Sequence, residues 1–166
     1  KTAYEIVDCD WSSDVCSSDL IAGPFAAMIL ADLGATVIKI ETPERGDTAR
    51  GTPPHDEGIS HFFAAVNRNK QSVAINIKTP DGKRMLEKLI AQSDVVLHNF
   101  RPGVMENLGL SYEDCLKLKA DLIYCAISGF GQDGPLHDRP AFDGVIQAMA
   151  GLMSLTGEAD RKSTRL

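Results

Sequence analysis

The chain has 166 residues and a net charge of −6, with 43% hydrophobic and 24% charged residues. That is the balance of one globular domain with a real core. It gives no reason to expect nucleic acid or a membrane as partner, while local basic pockets for phosphate remain compatible with it. No apolar run reaches the ~18 residues that a membrane span requires, and the N-terminus lacks the basic region and apolar core of a signal peptide. The cysteines Cys9, Cys16, Cys115 and Cys125 include no C-x-x-C pair, which speaks against zinc and for a reducing, cytoplasmic setting.

Residues 1–20 and 161–166 are out of character with the rest. "SSDVCSSD" repeats a Ser-Ser-Asp unit with neither helical nor strand periodicity, and "RKSTRL" follows directly on an apolar helix and a turn. Both ends resemble translated adapter sequence, so fold reasoning starts at Ile21 and stops at Asp160.

From Ile21 the elements come in a regular order. Gly23-Pro24 starts a helix with Pro at its first position. Phe25, Met28, Ile29 and Leu33 give that helix an apolar face, and Gly34 caps its end. Thr36–Glu41 is a β-branched strand. Residues 42–58 read as a long polar loop with three prolines, and structureless loops of that length are often functional. A short helix ends near Asn67, and Ser72–Ile77 is the next strand. Thr79-Pro80-Asp81 is a strong helix start: an N-cap, Pro at N1 and an acid favoured by the helix dipole. Asp94–Asn99 is a third strand, Ser111 and Asp114 form a capping-box-like start, and Asp121–Ser128 is a fourth strand. A single apolar helix is expected from about Asp143 to Leu155.

Strands alternating with helices, with nearly continuous apolar strands, predict an α/β fold: a parallel sheet covered by helices on both faces. Ligands of such sheets bind beyond the carboxyl ends of the strands. "GFGQDG" (Gly129–Gly134) has the G-x-G-x-x-G spacing of a dinucleotide site, but not its context. It follows the fourth strand rather than the first, Pro135 and Pro140 delay the next helix by about nine residues, and Ser154 stands where the ribose-binding acid belongs. The glycines instead let backbone N–H groups approach a ligand closely, and successive N–H groups can form an anion-binding nest. The four histidines form no credible metal site; His55 and His61 are six apart across the loop.

"AGPFAAMILADLGATVIKIE", "RGDTAR", "NRNKQSVAINIKTPDG", "DVVLHNFRPGVMENLGL" and "ISGFGQDGPLHDRPAFD" follow one another in this order. Together they resemble the class III CoA-transferase family, which includes formyl-CoA transferase, carnitine CoA-transferase and the α-methylacyl-CoA racemases. The resemblance runs from Ile21 to Asp160. It implies part of a large Rossmann-like domain, completed elsewhere by a further segment, in two subunits that interlock as a homodimer. It implies an acyl-CoA and a carboxylic acid as substrates, coenzyme A as substrate and product, and neither a metal nor a nicotinamide. Catalysis in the family runs through an aspartyl-CoA thioester. By spacing that aspartate falls just beyond Asp160, so a fragment without its nucleophile is expected.

The same resemblance assigns positions. Asn99 and Phe100 match a CoA-contacting pair, with Arg101 beside them as a candidate for a CoA phosphate; turn capping, core packing and a solvated charge are the plainer readings. Ile75 to Lys78 match the strand end around the adenine and phosphates, with Lys78 the charged candidate. Thr42 stands where formyl-CoA transferase has an arginine, a role that Arg45 or Arg50 could take over. Gly23 and Pro24 match the segment beside the thioester, where free N–H groups could stabilise an oxyanion. Ile21 replaces the glutamine of formyl-CoA transferase, which argues against formyl-CoA. Phe142 replaces the histidine of the racemases and cannot move a proton, while Asp143 either lines the acyl pocket or caps a helix. A racemase or epimerase of the same family and a non-catalytic CoA-binding fragment are the alternatives.

Overall fold

A computed structural model describes residues 1–6 and 21–156. The main sheet has five strands: β1 (Thr2–Ile6), β2 (Thr36–Glu41), β5 (Lys70–Ala74), β6 (Val95–His98) and β7 (Ile123–Ala126). Their order is β5-β2-β1-β6-β7, and every pairing is parallel. A parallel sheet needs crossovers, and helices supply them: α1 (Ala22–Asp32) before β2, α2 (His61–Asn67) before β5, α3 (Pro80–Ile90) before β6, and α4 (Val104–Asn107) with α5 (Tyr112–Leu118) before β7. After β7 come α6 (Asp143–Met149) and α7 (Leu152–Leu155).

The expectation that nothing before Ile21 belongs to the fold is corrected at β1. Thr2–Ile6 lies in the middle of the sheet, with Tyr4 in register with Ile38 on one side and Val96 on the other, and Ala3 and Tyr4 are buried. The pattern was hidden because five residues carry little periodicity beside a Ser/Asp-rich run. The Ser-Ser-Asp unit and the "RKSTRL" tail lie outside the described residues.

Side chains alternate across the sheet and build two cores. On one face Tyr4, Ile40 and Val96 pack with Leu86 and Ile90 of α3, Met105 of α4 and Cys115 of α5. On the other, Ala3 and Val37 pack with Ala27 and Ala31 of α1. The second core is built of small residues, and that overturns the expected face of α1. Met28 is buried as expected, but Phe25, Ile29 and Leu33 join Ile21 in an exposed row four residues apart. Contact with the sheet selects the alanine side of α1, because small side chains let the helix backbone lie close.

Local signals decide the helix ends. Thr79 Oγ1 accepts the Gly82 N–H at 3.1 Å, with Pro80 at N1 as expected. Ser111 Oγ accepts the Asp114 N–H at 3.1 Å and donates to the Asp114 carboxylate at 2.8 Å. Gly34, at φ +93°, donates to Ala31 while Ala35 donates to Leu30, a Schellman ending for α1. Pro24 is the third helical residue of α1 rather than the first. The strand expected at Ser72–Ile77 sits earlier, at Lys70–Ala74; Ile75 and Ile77 are buried past its end and mimic strand alternation. The single helix expected to Leu155 is broken at Gly151, whose φ of +78° ends α6 and starts α7.

Candidate functional site

Successive connections run outward from β1 through β2 to β5, then in the other direction through β6 to β7. The order reverses between β1 and β6, and the crevice at such a switch point is where open parallel sheets take ligands. Two predicted segments meet there. Asn99, one residue past β6, accepts the Gly23 N–H on Oδ1 at 3.2 Å and donates from Nδ2 to the Ile127 carbonyl, just past β7, at 2.8 Å. One amide thus ties the start of α1 to the ends of β6 and β7. The approach is close at Gly23: a Cβ there would stand 3.2 Å from Asn99 Cβ.

This clasp revises two expectations. Both polar atoms of the Asn99 side chain are engaged by protein, so it acts as a brace. The start of α1 is not an open row of N–H donors either, because Gly23 gives its own to Asn99 and Pro24 has none. The Pro24 carbonyl accepts from Lys70 Nζ at 2.8 Å.

Phe100 and Ile75 both belong to the larger core, so core packing holds for each side chain. His98 lies beneath them in the sheet. Its ring stacks on Phe100 at 5.6 Å and meets Tyr124 edge-on at 5.2 Å. Nδ1 accepts the Phe100 N–H at 3.3 Å, which puts the ring proton on Nε2. Burial pushes its pKa down to about 4, so it is a neutral packing histidine at physiological pH. Lys78 and Arg101 are exposed at the same edge, and the Lys78 N–H is held by Asn76 Oδ1 at 3.1 Å.

The stretch after β2 is not structureless. It contains a 3₁₀ turn at Thr48–Gly51 and a two-stranded hairpin, β3 (His55–Asp56) with β4 (Ile59–Ser60). Buried charges fix its first half. Lys39 Nζ and Asp47 Oδ2 pair at 2.7 Å with both side chains 1% exposed. Glu41 accepts from Arg50 Nε and Nη2 at 2.7 Å, from Ser72 Oγ at 2.7 Å and from the Asp47 N–H at 2.8 Å. Burial alone would raise the Glu41 carboxyl, but these hydrogen bonds and the Arg50 charge hold it down, at about 2. Arg50, which also lies over the Phe63 ring at 3.9 Å, is committed to this network. The other arginine considered as a replacement at Thr42, Arg45, is exposed. The network was missed in the sequence, although Lys39 inside "TVIKIE" signals it: a cation in a buried strand demands an acid nearby.

The glycine loop joins β7 to α6 with positive φ at Gly131 and Gly134. Its first glycine has a contact role, since a Cβ on Gly129 would stand 1.9 Å from Ala141 Cβ. The close approach sets Phe142 and Asp143 beyond the end of β7. Phe142, 40% exposed, takes the cap position of α6 without capping it through a side chain. Asp143 is the first helical residue rather than the cap, and its carboxylate accepts from Gln147 Nε2 at 2.7 Å. Both stand after β7, at the start of α6. Among the described residues no group of three His, Cys, Asp or Glu converges as a metal centre requires, and no helix is long and apolar enough to cross a membrane.

A five-stranded parallel sheet with connecting helices, braced by Asn99 at its switch point, defines the class: a Rossmann-like α/β domain. The model of CoA-transferase family III matches residues 14–166, and the chain belongs to that family. It is 47% identical over 147 residues to the succinyl-CoA:glutarate CoA-transferase of Mus musculus, covering 88% of this chain and 34% of that protein. It is 44% identical over 147 residues to the acetyl-CoA:oxalate CoA-transferase of Acetobacter aceti, covering 89% of this chain and 38% of that protein. A crystal structure of a CAIB/BAIF family protein from Brucella suis superposes with a TM-score of 0.87 at 38% identity, over 99% of this chain and 42% of that one. The chain thus spans between a third and a half of the length of these relatives.

Proposed function

We propose that the complete protein is an acyl-CoA:carboxylate CoA-transferase and that this chain carries its CoA-binding edge. The observation that carries the reading is the Gly23–Asn99–Ile127 clasp, which shapes the switch-point crevice in a chain whose named relatives are CoA-transferases. In this reading the exposed Lys78 and Arg101 meet the CoA phosphates. Ile75 and Phe100, with side chains in the core, form the floor, and Asn99 fixes the walls. Gly23 and Pro24 lie beside the thioester, and Phe142 with Asp143 borders the acyl group.

The reaction uses an aspartate nucleophile outside residues 21–160. Its carboxylate attacks the donor thioester, giving a mixed anhydride and CoA thiolate. The thiolate then attacks the aspartyl carbonyl, releasing the donor acid and leaving an aspartyl-CoA thioester. The acceptor carboxylate attacks that thioester in turn, and the thiolate takes the new acyl group and frees the aspartate. The carboxylates placed at this edge support an outside nucleophile. Asp47 and Glu41 are held by Lys39 and Arg50, and Asp143 is held by Gln147. Phe142 in place of an acid/base group favours transfer over racemisation.

The protein is further read as cytoplasmic and, at full length, as an interlocked homodimer. The exposed row of Ile21, Phe25, Ile29 and Leu33 supports the dimer, and sedimentation of the full-length protein tests it. Outside β1, residues 1–20 and 161–166 are proposed to include foreign sequence, which resequencing the source DNA across both ends tests. For the activity, the purified chain is incubated with succinyl-CoA and glutarate and assayed for exchange. CoA binding without transfer is the expected result. Transfer that is abolished by substituting a carboxylate within residues 21–160 would overturn the outside nucleophile.

A further inference from the structure

The first turn of α1 is gripped from two sides. Asn99 Oδ1 holds the Gly23 N–H from the β6 side. From the β5 side, Lys70 Nζ donates to the Pro24 carbonyl at 2.8 Å and to Asn67 Oδ1 at 2.9 Å. Asn67 is itself seated: it is 9% exposed and donates from Nδ2 to the Phe63 carbonyl at 3.0 Å. The ammonium therefore rests between two oriented acceptors. Helix α1 has no side-chain cap of its own, so groups from outside it define where its first turn stands. An ammonium beside a helix N-terminus opposes the macrodipole, so helix stability alone does not account for it. It does add positive potential where an anionic oxygen would sit.

We infer that Lys70 is a positioning residue for the substrate-facing start of α1, acting through the Pro24 carbonyl. The inference rests on the reading that this turn lies beside the thioester. The bonds run Phe63–Asn67–Lys70–Pro24 on one side and Gly23–Asn99–Ile127 on the other. They couple the β5 flank of the sheet to the β7 flank through that turn.

The test compares this chain with its Lys70→Met and Lys70→Arg variants. Amide exchange at Gly23 and Phe25 is read by NMR with Leu86 and Ile90 of α3 as internal references, and CoA is then titrated by calorimetry. Lys70→Met is expected to speed exchange at Gly23 and Phe25 roughly tenfold, the scale of one lost charged hydrogen bond, with the α3 amides little changed. Lys70→Arg is expected to restore most of the protection, and CoA affinity to follow the same order. Unchanged exchange at Gly23 and Phe25 would overturn the inference, as would an equal rise at Leu86 and Ile90. Should Lys70→Met fail to fold, Asn67→Ala, which removes the second seat of the ammonium, is read by the same two criteria. A parent chain that binds no CoA would overturn the functional reading, while the exchange data still decide the clamp.

Discussion

The segment that leaves β2 and the segment that leaves β7 both start at the carboxyl edge of the sheet, yet they are secured very differently. After β2, Lys39, Glu41 and Asp47 are nearly inaccessible to water and are paired with one another, with Arg50 and with Ser72. After β7, neither α6 nor α7 buries a residue, and Val145, Met149, Leu152 and Leu155 are exposed. Buried charges tolerate few arrangements, because each must be matched within hydrogen-bond reach. The β2 exit is therefore self-sufficient. The β7 exit is placed mainly by the approach of Gly129 to Ala141, and a segment with so little buried surface belongs to the low end of local stability.

The largest test of this contrast removes the acid of the buried pair. Asp47→Ala removes the ion-pair partner of the buried Lys39 and should cost about 3–5 kcal/mol in denaturant unfolding. A loss below about 1 kcal/mol would mean that the network is not what holds the loop.

Acid unfolding gives the next largest effect. The Glu41 carboxyl is held at about 2, against an ordinary value of 4.5. Its contribution is therefore complete above pH ~4.5 and is lost as pH falls towards 2, an amount of about 3 kcal/mol. Chemical denaturation at stepped pH should show this slope in the parent and a flatter one in Glu41→Gln. An identical slope in both would break the assignment.

The smallest effects should come from the other region. Met149→Lys and Leu155→Lys replace exposed apolar groups and should shift unfolding by no more than about 0.5 kcal/mol, while reducing self-association on light scattering. A loss several times larger would show that α6 and α7 are packed after all.

What the sequence revealed and what it hid divide along the same line. Signals that act over a few residues were readable: the Thr79 cap with Pro80, the Ser111–Asp114 box and the glycine turn after α1 all appear as written. The parallel α/β architecture was readable too, because apolar strands alternate with capped helices. Long-range choices were not. Nothing within α1 tells whether Phe25 or Ala27 meets the sheet; the close spacing of helix and strands decides for alanine. Nor does "NRNK" disclose that Lys70 reaches Pro24, 46 residues earlier in the chain. The site positions were drawn from family resemblance, and the structure shows the contacts they make within the protein. Asn99 braces, Phe100 and Ile75 pack, and Lys78 and Arg101 remain exposed at the rim. The glycine loop marks where two segments nearly touch.

The central claim is that the clasp at the switch point shapes a site for coenzyme A. Calorimetric titration of the purified chain and its Asn99→Ala variant, with CoA and with NADH in parallel, tests it most directly. The account predicts saturable CoA binding by the parent, weaker binding by Asn99→Ala and no heat with NADH. NADH binding without CoA binding, or equal CoA affinity in the two chains, would contradict it.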